Sequence, residues 1–325
     1  MYPKISIVTP SFNQGQYIEQ TICSVLNQGY PNLEYIIIDG GSTDNTVEII
    51  KKYESSLAYW VSEPDLGQSD AINKGLKYCT GEIFNWINSD DWYEPNIFFE
   101  IANVFRSDYK VTSVSGYENH VYSHGFVQVH QGTQLKPTLE QTIEMCEMTQ
   151  PSTFHRLDVV KSVDALSNQL HYIMDGELWV KILLKYGTRG FRKIHNPVVN
   201  FRIHESSKTF SNNVINNFAI ERASILSSLQ KCVNLPESLI NHYISSKFSN
   251  SKTFRLNTEW VFDPIIISKR KLRIYFIKNY LTRQFIIGDR MKIKFGLTLL
   301  INDMVFDLFF FKNVLKYLKL SFKNG

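Results

Sequence analysis

Residues 83–95, IFNWINSDDWYEP, decide how the chain is read. Ile83 to Ile87 is a short apolar run and predicts a buried strand. It stops at Asn88-Ser89-Asp90-Asp91, and Pro95 prevents its continuation. Adjacent carboxylates at the exit of a buried strand repel each other and are costly to desolvate. Two readings follow. One is a divalent cation held by oxygen ligands, of the Mg²⁺ or Mn²⁺ kind. The other is a strand-ending turn in which Asp91 caps a helix starting near Asn96.

The preceding residues repeat the pattern. Ile5 to Thr9 predicts a strand stopped by Pro10, and Tyr17 to Gln28 has helical spacing with Ile18, Ile22, Val25 and Leu26 on one face. Leu33 to Ile38 is a second strand, dense in Ile as expected of a parallel strand covered on both faces. A helix from Thr46 to Tyr53 follows, with Asp44 as its N-cap. Leu57 to Val61 is a third strand and Ser69 to Tyr78 a third helix. This alternation predicts βαβ units and a mostly parallel, Rossmann-like sheet flanked by helices. Ligands of such sheets bind beyond the C-terminal strand ends. The loops Thr9 to Gln14, Asp39 to Asp44, Glu63 to Ser69 and Asn88 to Asp91 therefore share one rim. No GxGxxG or GxxxxGK[ST] is present.

Past residue 105 the alternation weakens. Val111 to Gly116 and Val121 to His130 predict strands of a hairpin around His124-Gly125, and Leu139 to Met148 a helix. A further strand is expected from Gln150-Pro151-Ser152. Asp175 to Tyr186 is helical with an apolar stripe. Phe191 to Ile194 and Val198 to Ile203 predict two strands around Asn196-Pro197. From Asn212 the chain is mainly helical, broken at Pro236 and Pro264.

The 325 residues suffice for two ordinary domains. The composition is that of a soluble globular protein rich in aromatics. Its four scattered cysteines fit a thiol-reducing cytosol better than a disulfide framework or zinc site. The N-terminal residues carry no signal-peptide pattern and no long uncharged apolar run is present, so a cytoplasmic protein without a membrane span is expected. Charge is asymmetric: residues 265–325 hold 13 Lys and Arg against 3 Asp, net +10, within a chain of net +4.

Taken in order, ISIVTPSFNQGQYIEQTICSVLNQGYPNLEYIIIDGGSTDNT, EPDLGQSDAINKG, GEIFNWINSDDWYEP, QPSTFHR, MDGELWVKI and FRIH resemble the family 2 glycosyltransferases, inverting enzymes of the GT-A fold. The resemblance covers about residues 1–205. It implies a nucleotide-sugar donor, most simply a UDP-sugar, a divalent metal (Mn²⁺ or Mg²⁺) and a saccharide or lipid-linked saccharide acceptor, as in cell-surface polysaccharide or glycan biosynthesis. It divides the chain into a catalytic domain, 1–210, and a helical extension, 211–325.

The resemblance also assigns roles. Asp39 falls where the family contacts base or ribose, although a turn with Gly40-Gly41 also explains it. Thr9, Pro10 and Phe12 would flank the base, and Asp65 and Asn73 would approach the nucleotide; Asp70 is read as a helix start. Asn88-Ser89-Asp90 stands at the family's DxD position, with Asn88 departing from it. Asp90 becomes the metal ligand, Asn88 a ribose contact and Asp91 a supporting group. Asp175, opening MDGELW, becomes the general base that takes the acceptor's proton, Glu177 being on another face. His204 would join Asp90 at the metal. Arg202 would meet phosphate, Gln150 and Ser152 would read donor or acceptor, and Trp92 would stack on sugar, whereas Trp179 belongs to the core.

In the last third Leu308, Phe311, Leu315, Leu318 and Phe322 form one helical face and Lys312, Lys316, Lys319 and Lys323 another. Such a helix either packs on the catalytic domain or lies peripherally on an anionic membrane surface through residues 265–325. No nucleic-acid-binding motif accompanies the basic tail. Two other function classes remain open. One is a non-catalytic sugar- or nucleotide-binding module, suggested by Asn88. The other is a membrane-attached scaffold of a glycan assembly complex.

Overall fold

The computed structural model describes residues 2–204, 212–248 and 252–322; Lys323 lies outside them. The chain folds into two compact units, Met1–Arg222 with Leu256–Val261, and Ala223–Arg255 with Phe262–Gly325.

The first unit is built on a mixed nine-stranded sheet among the described residues. Its first part is β1 (Ile5–Ser11), α1 (Ile18–Leu26), β2 (Leu33–Asp39), α2 (Thr46–Lys52), β3 (Tyr59–Ser62), α3 (Gln68–Tyr78) and β4 (Ile83–Trp86). These strands pair in parallel in the order β3-β2-β1-β4. Every residue of β1 is buried, as the Ile-rich runs predict for central strands. One face packs Ile5, Ile7, Tyr35 and Ile37 against Ile18, Ile22 and Val25 of α1. On the other face Gly75 brings α3 down on β1; a Cβ there would lie 2.6 Å from Val8 Cγ1.

Pro10 does not end β1. It pairs with Ile38, while pairing with β4 finishes at Val8–Trp86. The missing proline N–H therefore falls beyond the neighbour that would have used it.

The other strands turn the sheet mixed. They are β5 (Trp92–Tyr93), β6 (Ser113–Tyr122), β7 (Val127–His130), β8 (Thr153–Arg156) and β9 (Phe191–Ile203), with α4 (Ile97–Ser107), α5 (Leu139–Met145), α6 (Leu157–Lys161) and α7 (Met174–Tyr186). β8 runs antiparallel between β4 and β6, β9 pairs in parallel with β6 and antiparallel with β5, and β7 closes a hairpin on β6. The two strands expected around Asn196-Pro197 are one, because register shifts near Tyr117 of β6 absorb the proline. α8 (Asn212–Cys232) follows.

The second unit contains α9 (Glu237–Phe248), α10 (Lys269–Ile287), α11 (Arg290–Asn302) and α12 (Leu308–Phe322). Ser268 caps α10 and Asp289 caps α11, each accepting a backbone N–H three residues on. Leu272, Phe276, Leu281, Ile293 and Leu300 form its interior. In α12 Phe310 is buried, whereas Leu308, Phe311, Leu315 and Leu318 of the expected apolar face are exposed. No helix of the described residues is long and apolar enough to cross a membrane.

Candidate active site

Strand register places the ends of β1, β2 and β3 side by side, Ser11 beside Asp39 and Asp39 beside Ser62. The Asp39 carboxylate is fully buried. It accepts hydrogen bonds from the Gly41 and Ser42 amides (3.1 and 2.8 Å) and from the Ser42 and Ser62 hydroxyls (2.5 and 2.7 Å). Gly41 turns away with φ +83°, open to glycine at little cost. At Gly40 a Cβ would sit 2.7 Å from Asp65 Oδ2, so the missing side chain admits that carboxylate to the rim. Asp44 caps α2 in effect, its Oδ1 accepting from Thr46 N at 3.0 Å.

Of the three residues expected to flank a base, only Phe12 is exposed. Pro10 is buried, and the buried Thr9 hydroxyl bonds that of Tyr35 at 2.9 Å. Asn73 is likewise withdrawn: its amide donates to Leu166 O (2.8 Å) and accepts from Leu166 N (3.2 Å), tying α3 to the 166–168 loop. Asp70 opens α3 as expected, accepting from Leu66 N.

The Asn88–Asp91 turn is held by the last residues of β9. Asp91, almost wholly buried, accepts from Arg202 N at 2.9 Å and faces Asn88 Nδ2 at 3.4 Å. It does not cap α4. Burial and the neighbouring Asp90 charge push its carboxyl well above the usual carboxylate range. Asn88 Oδ1 accepts from Gln68 Nε2 at 2.6 Å, and Ser89 is buried.

The Arg202 guanidinium lies between the rings of Tyr17 and Trp92, at 4.6 and 4.5 Å. Its Nε donates to Asp90 O and its Nη2 to Gln20 Oε1. Arg202 thus braces the turn and Trp92 supports it, where a phosphate contact and a sugar platform were expected. Asp90 Oδ2 meets His204 Nε2 at 3.1 Å, and Tyr17 packs against the imidazole. The carboxylate and imidazole expected to share a cation are therefore together, though 114 residues apart in sequence.

Asp175 occupies the first turn of α7. Burial pushes its carboxyl up to about 7, opposed by the Gly176 and Asp175 amides and by Arg222, and reinforced by the charge of Glu118. The loop entering α7 is fastened by Glu221 of α8, whose buried carboxylate accepts from the His171, Tyr172 and Ile173 amides at 2.8 to 2.9 Å. Glu177 is fully buried, paired with Lys181 and accepting from Ser167 N and the Thr258 hydroxyl. Trp179 is core, beside Phe191.

Gln150 and Ser152, expected to read a sugar, are buried instead. Gln150 donates to Asn85 Oδ1 and Trp86 O, and Ser152 donates to Glu118 Oε1 at 2.9 Å. Glu118 was missed in the sequence. It is buried, yet its charge acts on both Asp91 and Asp175. The available signal was a carboxylate inside the alternating Ser113–Tyr122 strand.

With Asp39, Asp90 and Asp175 placed, similarity to known proteins decides the family. Residues 6–155 match the profile of glycosyl transferase family 2. They form a family 2 glycosyltransferase domain. An uncharacterized glycosyltransferase of Rickettsia typhi is 31% identical over 219 residues, 64% of this chain and 66% of that protein. An uncharacterized glycosyltransferase of Mycobacterium tuberculosis is 33% identical over 117 residues, 35% of this chain and 45% of that protein. The chain thus spans less than two thirds of these relatives' length.

Among solved structures, S. aureus TarS 1-349 in complex with UDP superposes with a TM-score of 0.56 at 18% identity, covering 90% of this chain and 88% of that one. The complex with UDP-GlcNAc gives 0.56 at 16%, covering 86% and 80%. The family 2 domain therefore carries the GT-A type of α/β fold, with its strand-end rim.

Proposed function

We propose that the chain is an inverting glycosyltransferase, moving one sugar from a nucleoside diphosphate sugar to a hydroxyl of a saccharide or lipid-linked saccharide in glycan assembly. Asp175 carries the proposal. A carboxyl whose proton leaves near pH 7, at a helix start, suits a base operating near neutrality. As the acceptor oxygen attacks the anomeric carbon, its proton passes to Asp175. The bond from that carbon to the diphosphate oxygen breaks, and the electron pair leaves with the nucleotide. Attack opposite the leaving group inverts the centre. Asp39, Asp65 and the exposed Phe12 supply the nucleotide side of the rim. UDP is the first nucleotide to test, being bound by the fold neighbour TarS.

Asp90 and His204 fit a divalent cation: one carboxylate and one imidazole, 3.1 Å apart and partly exposed, are donors that Mn²⁺ accepts, and Mg²⁺ through the carboxylate. Such an ion, when bound, neutralises charge on the departing diphosphate.

Thermal unfolding with a panel of nucleotide sugars, with and without Mn²⁺, tests the reading. One donor should stabilise the wild type in a Mn²⁺-dependent way. Asp90→Ala should lose that dependence, and Asp175→Asn should keep donor binding without turnover. Stabilisation by no nucleotide sugar would sink the donor assignment.

The second unit favours an anionic membrane surface as a further partner. Ile286, Ile287, Met291, Leu308, Phe311, Leu315 and Leu318 are exposed within the segment of net +10, and Lys312, Lys316 and Lys319 share α12 with four of them. Binding to phosphatidylglycerol vesicles should fall when Leu315 and Leu318 are both replaced by Glu. Equal binding by this variant and the wild type would contradict it.

A further inference from the structure

We propose that Glu118, His120 and His130 form a second cation site, separate from Asp90 and His204, which takes a transition-metal ion of the zinc or cobalt class. The placement follows from strand geometry. Glu118 of β6 lies directly opposite His130 of β7 in the antiparallel register. Opposed residues project to the same face, about 5 Å apart at Cβ. His120 is two residues along β6 and projects to that face as well. One ligand atom from each residue lies within 4.8 Å of the other two. The imidazoles are stacked at 5.3 Å, and Phe201 of β9 backs His120 at the same distance.

The donor set and its surroundings both point to a cation. Glu118 is only 3% exposed. Its Oε1 accepts the Ser152 hydroxyl at 2.9 Å, and its Oε2 meets His120 Nε2 at 3.2 Å. Among the described residues it forms no ion pair with lysine or arginine, and its charge is felt at Asp91 and Asp175. A buried carboxylate in an acidic neighbourhood gains from a positive partner. Two imidazoles with one carboxylate suit zinc, cobalt or nickel; magnesium and calcium prefer all-oxygen shells. Ser152 fixes the carboxylate much as outer hydrogen bonds orient metal ligands.

The turn after β7 engages the His130 ring. Gly132 has φ +70°, and a Cβ there would lie 1.9 Å from Gly116 O. Its amide donates to His130 Nδ1 at 3.2 Å, so Nε2 carries the proton of the neutral ring. Ligation through Nε2 moves that proton to Nδ1, and the Gly132 contact is then given up. Ion uptake thus carries a signature in the 130–132 turn.

The test uses the full chain, stripped with chelator and titrated with Zn²⁺ by calorimetry and with Co²⁺ by visible absorption. The doubly substituted Asp90→Ala, His204→Ala protein should still take up one equivalent and develop the Co²⁺ ligand-field bands. His130→Ala changes an exposed residue and should lower metal-free stability only slightly, through loss of the Gly132 and His120 contacts. In that background it should weaken uptake by more than the roughly 10–100-fold that loss of an outer partner costs. Nitrogen-15 shifts of His130 should report the tautomer change in the wild type. Loss of all uptake in the Asp90→Ala, His204→Ala protein, or undiminished uptake after adding His130→Ala, would overturn the site.

Discussion

Asp175→Asn should stabilise the protein while stopping its chemistry. The wild-type carboxyl ionises at about 7 in the folded chain against an ordinary value of 3.8. Between those values the folded state binds more protons than the unfolded chain. Stability therefore falls as pH rises through the window, by up to about 1.4 kcal/mol per pH unit, and levels off above pH 7. The whole interval corresponds to about 4 kcal/mol, the net of burial and the Glu118 charge against the amide hydrogen bonds and Arg222. Asparagine carries no charge and avoids it. Urea unfolding of both proteins should show the variant's advantage widening by about 3 kcal/mol between pH 5 and pH 8. Turnover, followed as nucleoside diphosphate release, should drop roughly 10²–10⁴-fold. The wild-type rate should fall about tenfold per unit below pH 7, where Asp175 holds its proton. A stability difference flat with pH would refute the raised pKa, and near-normal turnover would remove Asp175 as the base.

Three further outcomes are expected. Glu221→Gln weakens three amide contacts to residues 171–173 and should lower kcat with little change in donor KM; an unchanged kcat would show that the loop keeps Asp175 in place unaided. Gly75→Ala would press a Cβ to 2.6 Å from Val8 and should cost about 1–3 kcal/mol in urea unfolding, whereas wild-type stability would contradict the α3–β1 contact. Arg202→Ala removes the stack between Tyr17 and Trp92 and the bond to Asp90 O; about 1–3 kcal/mol of stability should go with it, together with Mn²⁺-dependent donor binding. Retention of both would mean that the turn stands without its brace.

The parallel half of the sheet was legible because its inner strands are buried on both faces and written as apolar runs. Its rim followed from topology alone. Residues carrying hydrogen bonds across the fold were not legible. Arg202 resembles a phosphate ligand in sequence, and only the meeting of β9 with the Asn88 turn shows its guanidinium between two rings. Thr9, Gln150 and Ser152 are polar residues near strand ends and Asn73 sits mid-helix, and periodicity does not reveal that each is spent on an internal partner. α12 shows the same limit. Its sequence carries apolar residues on more than one side, and only packing decides that Phe310, not Leu315, turns inward.

The Asn88–Asp91 turn also explains itself electrostatically. Two adjacent aspartates cannot both be charged cheaply in a desolvated turn. The fold separates them: Asp91 is buried against the Arg202 amide and held toward its neutral form, while Asp90 remains partly exposed beside His204. The less buried carboxylate thus stands where a cation is proposed. Asn88 fits this arrangement. Its Nδ2 points a donor toward Asp91 Oδ2 and its Oδ1 takes the Gln68 amide. An aspartate at 88 would keep the Gln68 contact but lose the Nδ2 donor, and would add another carboxylate to the turn.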